Sequence, residues 1–207
     1  MKKGKFIVLD GPDGSGKGTE INLLKAEFAG ANLIFTQEPG ATQTGQEIRK
    51  MLLANDKKEH ALIDFFLFWA DRAAHVEQIV RPALNSGTHV ISDRFDSSTF
   101  AYQIVADARP EFLGLFKEAR EVVLRDCFPD AYIFLNLSVS IIQMRIEGDK
   151  MKRTRYDIKP TEYHEKVIEG FKKFASDFTP SFIIDAARPP KDVHDEILPI
   201  VRKILGI

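Results

Sequence analysis

The chain has a single cysteine, Cys127, so neither an intramolecular disulfide framework nor a cysteine-built zinc site is open to it. It has no excess of one charge: 29 basic residues stand against 30 acidic ones, for a formal net charge of −1. A general nucleic-acid binder carries a basic surplus, so that class is not expected. No run approaches the roughly 18 consecutive apolar residues of a membrane span. Met1–Lys5 is basic, but only the apolar run Phe6–Leu9 follows, too short for a secretory signal. Repeats, low-complexity tracts and a domain-splitting linker are also lacking, so the 207 residues are expected to form one domain, 1–207. Core-forming residues are plentiful: 44% of the chain is hydrophobic, with sixteen phenylalanines. A chain of this size can bury roughly 70% of its unfolded surface. The expectation is a cytoplasmic enzyme or binding domain that engages neither nucleic acid nor membrane.

Short apolar runs recur at Lys5–Asp10, Leu33–Thr36, Thr88–Ser92, Ala131–Leu137 and Ser181–Asp185. Their apolar character is continuous rather than alternating, which predicts strands buried on both faces and hence a parallel sheet. Between them lie helical patterns, at about Lys17–Phe28, Gly45–Leu53, His60–Leu84, Ser97–Ala106, Glu111–Arg125, Val139–Glu147, Thr161–Phe174 and Lys191–Leu205. Pro110, Pro160 and Pro190 fall where first helical turns would begin, a place that tolerates a missing N–H. Alternating β and α elements predict a three-layer α/β fold with a five-stranded parallel sheet flanked by helices. The segment 148–160 is the long, charged and irregular exception.

The strongest signal is Gly11-Pro12-Asp13-Gly14-Ser15-Gly16-Lys17-Gly18-Thr19, which follows the first strand and opens the first helix. Successive N–H groups of such a loop point inward and the helix N-terminus adds positive potential, so the loop cradles phosphates. Lys17 supplies a cation for the β- and γ-phosphates. One departure stands out: the Ser/Thr that usually follows the lysine and contacts Mg²⁺ is Gly18 here. Gly-Lys-Gly-Thr resembles the loop of adenylate kinases, in which water completes the metal shell. Asp10 and Asp93, each ending a predicted strand, are the carboxylates available to Mg²⁺, directly or through water.

No lysine follows an Asn or Thr, so the guanine-reading Asn/Thr-Lys-x-Asp pattern is absent and a GTPase is not expected. Several segments in order resemble thymidylate kinases. Phe6–Thr19 is similar to that family's first strand and phosphate loop, and Thr36-Gln-Glu-Pro-Gly-Ala41 to its Thr-Arg-Glu-Pro-Gly-Gly segment. Gly45–Arg49 and Leu67–His75 resemble the helix behind that segment and the base-binding helix. Asp93–Gln103 resembles the Asp-Arg-Tyr segment of bacterial members, with Phe95 in place of Tyr. Pro129–Asn136 and Ile184–Ala186 resemble the fourth and fifth strands.

The resemblance implies phosphoryl transfer from Mg·ATP to dTMP, with dTMP and ATP as partners, Mg²⁺ as cofactor and a homodimer as the assembly. An ionised phosphate is already a nucleophile, so alignment and charge neutralisation are the protein's task. Arg94 is implied to hold the acceptor phosphate, helped by Arg49. On spacing alone, Phe68 and Arg72 read as a core ring beside a surface charge; the resemblance instead places thymine on Phe68 and its O4 at Arg72. It also implies Thr99 and Gln103 at the base, Tyr102 against the sugar 2′ position, and Glu38 as an acid near the acceptor, with a capping role for Glu38 still open. Within 148–160, Arg153 or Arg155 is the implied mobile lid cation, and Arg145 is an additional candidate. Adenine is expected near Ala186–Arg188. Trp69, Cys127 and the five histidines read as packing or surface groups. A deoxynucleoside kinase with Glu38 as base, or a non-catalytic nucleotide-binding module suggested by Gly18 and Gln37, is the alternative.

Overall fold

The computed structural model describes residues 3–53, 60–148, 156, 158–178 and 180–207, the side chains of 146–148 apart. Among these, five strands form one sheet: β1 (Phe6–Asp10), β2 (Leu33–Gln37), β3 (His89–Asp93), β4 (Ala131–Asn136) and β5 (Ser181–Asp185). All pairings are parallel, in the order β2-β3-β1-β4-β5. The continuous apolar runs have their expected cause in the centre, where β1 is buried throughout. The edge strands β2 and β5 are only partly covered.

Along β1 and β4 the side chains alternate between two cores. Phe6, Val8, Tyr132 and Phe134 enter an aromatic core with Phe65, Trp69, Phe95, Phe100, Phe116 and Phe174. Ile7, Leu9, Ile133 and Leu135 enter an aliphatic one with Ile21, Leu24, Ile197 and Val201. The aliphatic layer is closed by α1 (Lys17–Glu27) and α9 (Pro190–Leu205). The aromatic layer carries edge-to-face pairs such as Phe6–Phe95, 5.0 Å between centroids. Phe95 is fully buried, where a ring without a hydroxyl leaves no polar group to satisfy.

Two expected helices are built differently. After α2 (Gln43–Leu53), the pattern His60–Leu84 resolves into α3 (Ala61–His75), a π-helical turn Val76–Val80 and α4 (Arg81–Asn85). The wider turn sits just ahead of Pro82, which has no N–H to give an α-ladder. Likewise Ser97–Ala106 begins as a short α5 (Asp96–Thr99) and continues as the π-helical segment Phe100–Ala106. The chain then runs through α6 (Phe112–Leu124), α7 (Val139–Gly148) and α8 (Thr161–Asp177). Where α8 crosses the π-helical segment, a Cβ at Gly170 would lie 2.6 Å from Ala101 Cα. Gly170→Ala is therefore expected to destabilise the fold by about 1–3 kcal/mol despite alanine's better helix propensity. A urea midpoint at or above that of the wild type would contradict this close approach.

No helix among the described residues is long and apolar enough to cross a membrane. Because every strand is parallel, the carboxyl ends of β1, β2, β3 and β4 open on one edge of the sheet, where α/β folds bind ligands.

Candidate active site

The loop Gly11–Gly16 leaves β1 through a backbone that only glycine accommodates well at its first step. Gly11 has φ +143°, and a Cβ there would lie 2.6 Å from Leu135 O. The loop holds Lys17 buried at the start of α1, with Nζ donating to Gly11 O and Pro12 O, both at 2.9 Å. Burial, with the charge of Arg94 next in order, pulls the Lys17 pKa below its ordinary value. At Gly18 a Cβ would meet nothing within 4 Å, so the departure from Ser/Thr has no steric cause.

Arg94 follows β3 with φ +69°, a conformation uncommon for a non-glycine residue. Its N–H bonds to Leu9 O at 2.9 Å, extending the β1–β3 ladder by one step. The guanidinium reaches Asp13 Oδ1 at 2.6 Å, Ser98 Oγ at 2.9 Å, Gly11 O at 3.2 Å and Asp10 Oδ1 at 3.3 Å. Asp13 also accepts from Tyr102 Oη at 3.0 Å. Burial works to raise the Asp13 pKa, but Arg94 and Lys17 outweigh it and hold the carboxyl below its usual range.

Asp10 is fully buried, and burial pushes its pKa up against the pull of Arg94 and Lys17. Its oxygens accept from Gly11 N at 2.8 Å, Ser97 Oγ at 2.6 Å and Ser98 Oγ at 2.9 and 3.0 Å. With those acceptor sites occupied, Asp10 fits a frame for the loop better than a metal ligand. Asp93 differs: its Oδ1 is buried without a hydrogen-bond partner among the described residues, as is Ser15 Oγ. Asp93 is the carboxylate that fits Mg²⁺, held directly or through water.

Beside Arg94 lies an open pocket lined by Asp13, Glu38, Pro39, Arg49, Leu53, Phe68, Arg94, Ser98, Tyr102, Gln103 and Tyr156, where the resemblance puts the acceptor. Arg72 and Thr99 stand one layer behind this wall, each 1% exposed. Arg72 donates from Nε to Glu38 Oε2 at 3.0 Å and from Nη1 to Thr99 Oγ1 at 3.2 Å, while its guanidinium lies 4.6 Å from the Trp69 ring and 5.2 Å from the Phe95 ring. Among the described residues Glu38 caps no helix. Its second oxygen meets His75 Nδ1 at 2.7 Å, and His75 Nε2 meets Thr36 Oγ1 at 2.8 Å. The buried His75 thus belongs to the frame of the site, a role the sequence reading missed. Phe68, Arg72 and His75 fall at i, i+4 and i+7, one helix stripe, which was the available signal. Arg49 donates to Pro39 O at 2.8 Å and points along the same wall.

Asp71, beside Glu38, accepts from Gly40 N at 2.9 Å; its Oδ2 is buried without a hydrogen-bond partner among the described residues. Burial first, and the charge of Glu38 second, push its pKa up to about 6. A native value above the unfolded one, about 3.9, means that the folded state holds a proton that the unfolded state has released. Stability contributed by this proton is therefore lost as pH rises from about 4 to about 6. Asp71→Asn, which keeps the acceptor for Gly40, is expected to abolish that decline and to exceed wild-type stability at pH 7.5 by roughly 1–3 kcal/mol. Urea denaturation of both proteins at pH 4 and pH 7.5 checks it; an equal pH dependence in the two contradicts it.

On the other side of the loop, Gly14, Thr19, Glu20, Arg145, Ala186 and Arg188 help line a second pocket of about 840 Å³. Arg145 spans it, donating to Gly14 O at 3.0 Å and to Ala186 O at 3.2 Å. Ala186–Arg188, the expected adenine segment, lies there. Arg153 and Arg155 fall outside the described residues, as does most of the expected lid 148–160.

A glycine-rich phosphate loop at the end of a central parallel strand, with arginines converging on its mouth, defines a P-loop kinase. The family model for thymidylate kinase matches residues 9–197. A thymidylate kinase from Halothermothrix orenii is 36% identical over 204 residues, covering 94% of this chain and 95% of its own. One from Caldicellulosiruptor saccharolyticus is 36% identical over 208 residues, covering 98% of each. The crystal structure of thymidylate kinase from Ehrlichia chaffeensis superposes with a TM-score of 0.76 at 25% identity, covering 96% of this chain and 99% of that one. The chain belongs to the thymidylate kinase family.

Proposed function

We propose that the chain transfers the γ-phosphoryl group of ATP to the phosphate of dTMP, giving dTDP for dTTP synthesis. One observation carries this reading beyond family membership. Asp13, Glu38, Arg49 and Arg94 line both the acceptor pocket and the open trough over the phosphate loop. A phosphate seated from the acceptor side and a triphosphate seated on the loop would meet at Arg94. In that arrangement Lys17 neutralises the β- and γ-phosphates, and Arg94 and Arg49 hold the acceptor phosphate through charge-assisted bonds. Mg²⁺, when bound with ATP at Asp93, supplies further charge neutralisation on the phosphates. Phe68 offers its ring to the base beside Gln103, with Arg72 and Thr99 behind, and Tyr102 closes the sugar side. The resemblance assigns a further cation to Arg153 or Arg155, which lie outside the described residues.

The nucleoside-kinase alternative needs Glu38 as a free base. Glu38 is instead bonded to Arg72 and His75, which favours a nucleotide acceptor. The apolar side chains Leu62, Ile63 and Phe66 on α3 remain exposed, which supports homodimer formation through this helix. Cytoplasmic operation is part of the same reading.

The test is ADP release from Mg·ATP with dTMP, dUMP, dCMP, dGMP, ribothymidine monophosphate and thymidine in parallel. Turnover with dTMP should exceed the others by at least about tenfold, the scale of one methyl group in an apolar pocket. Thymidine as the sole acceptor, or no turnover despite ATP binding, overturns the proposal.

A further inference from the structure

The carboxylate of Asp96 is fully buried, yet it lines neither the acceptor pocket nor the trough over the loop. It accepts from Arg120 Nε at 2.6 Å, from Tyr132 Oη at 2.9 Å and from Ser97 N at 3.1 Å. Arg120 Nη2 closes the triangle by donating to Tyr132 Oη at 3.1 Å. The guanidinium lies between two rings, 4.8 Å from Phe128 and 4.7 Å from Phe178. The start of α5, α6 and β4 are thus tied at one side chain.

Removing a carboxylate and a guanidinium from water is costly, and apolar side chains of similar volume often stabilise a core at least as well. Position offers a second reason for the knot. Asp96 comes two residues after Arg94, whose φ of +69° persists only where its surroundings over-determine it. On one flank Arg94 is fixed by its N–H to Leu9 O at 2.9 Å and by Ser92 Oγ donating to its carbonyl at 2.8 Å. On the other flank stands Asp96. Directly after it come Ser97 and Ser98, which hold Asp10, and then Thr99, Tyr102 and Gln103. Burial opposes the Arg120 charge, but Asp96 outweighs it and raises the pKa, so the tie is between opposite charges.

We propose that the Asp96–Arg120–Tyr132 knot is a positioning device that sets the backbone of Arg94 and the start of α5, without touching either substrate. The proposal rests on the dTMP kinase reading. Loosening the knot shifts Arg94 and the acceptor contacts together, while the pocket beyond the loop keeps its own tie, Arg145 to Gly14 O and Ala186 O.

The test is steady-state kinetics on Arg120→Met, Asp96→Asn and Tyr132→Phe, run beside wild type well below each melting temperature. Arg120→Met keeps the aliphatic stem between the two rings and removes the charge. It should raise KM for dTMP at least about tenfold and lower kcat several-fold, as misplacement of about an ångström does, with KM for ATP within about twofold. Arg120→Lys should recover part of the loss. The double variant Asp96→Asn/Arg120→Met should be no worse than the more impaired single variant, because both cut the same tie. Tyr132→Phe removes one hydroxyl and keeps the ring packing. It carries the test if the charge variants do not fold, with a smaller rise in dTMP KM in the same direction. Variants that melt earlier but keep wild-type dTMP KM and kcat overturn the proposal, as does an equal rise in both KM values. Wild-type protein that fails to phosphorylate dTMP overturns the functional reading instead, and shows it before any variant is compared.

Discussion

Lys17→Met is expected to reduce kcat by about 10³-fold while leaving the protein folded. Removing one preorganised donor aimed at developing charge costs about 10²–10³ in kcat in well-studied sites, and Lys17 carries a full charge at the phosphate loop. Methionine has similar length and no charge to bury. The native lysine is buried with its pKa depressed, so its removal relieves desolvation and the melting temperature should not fall substantially. Steady-state kinetics with Mg·ATP and dTMP, paired with a thermal melt, checks both halves. A kcat within tenfold of wild type would show that the Lys17 contacts to Gly11 O and Pro12 O are its final state and not a resting one.

Arg94→Ala should be as damaging to turnover and should cost stability as well. Its guanidinium pairs with Asp13 and approaches Asp10 in the resting protein, and in the proposed mechanism it takes the acceptor phosphate. Its loss is expected to lower kcat/KM for dTMP by about 10³-fold, or roughly 4 kcal/mol of transition-state stabilisation. The stability effect carries a pH signature. Arg94 helps to hold the Asp13 pKa below its usual value, a contribution present above the unfolded pKa and lost as pH falls through the folded one. The gap between wild type and Arg94→Ala should therefore be widest at neutral pH and narrow below about pH 4. Arg94→Gly separates backbone from charge: glycine accepts φ +69° freely, so it should recover some stability over Arg94→Ala and no activity. Equal stability gaps at pH 7 and pH 4 would contradict the ion-pair account.

The five strands, the phosphate loop and the ends of the sheet were legible because each is a local pattern: an apolar run, a glycine spacing, an acid at the strand's last residue. The helix types were less so. A 3.6-residue apolar stripe covers Phe100–Ala106 equally whether the ladder is α or π, so the sequence does not disclose the wider turn. The acceptor pocket was partly legible. Phe68, Tyr102, Gln103 and Arg94, which the resemblance groups together, share one pocket wall, whereas Arg72 and Thr99 are set behind it. Asp13 reads in the sequence only as a member of the phosphate loop, and its bond to Arg94 spans residues that no local spacing connects. Asp96 and Arg120 are hidden for the same reason: they meet through a turn of the whole fold, and sequence periodicity extends along one element only.

The one tryptophan of the chain has a practical consequence. Trp69 is buried in α3 between Phe65 and Phe116, with the Arg72 guanidinium 4.6 Å from its ring and Phe68 next in the chain. Light absorbed selectively by indole is therefore emitted from the neighbourhood of Arg72, behind the proposed acceptor pocket, and from nowhere else. Emission from the unmodified protein can thus report events around Arg72 in real time, with no label attached. Nucleotide arriving on the far side of the phosphate loop should leave that signal nearly unchanged, so the order in which the two substrates bind can be followed optically.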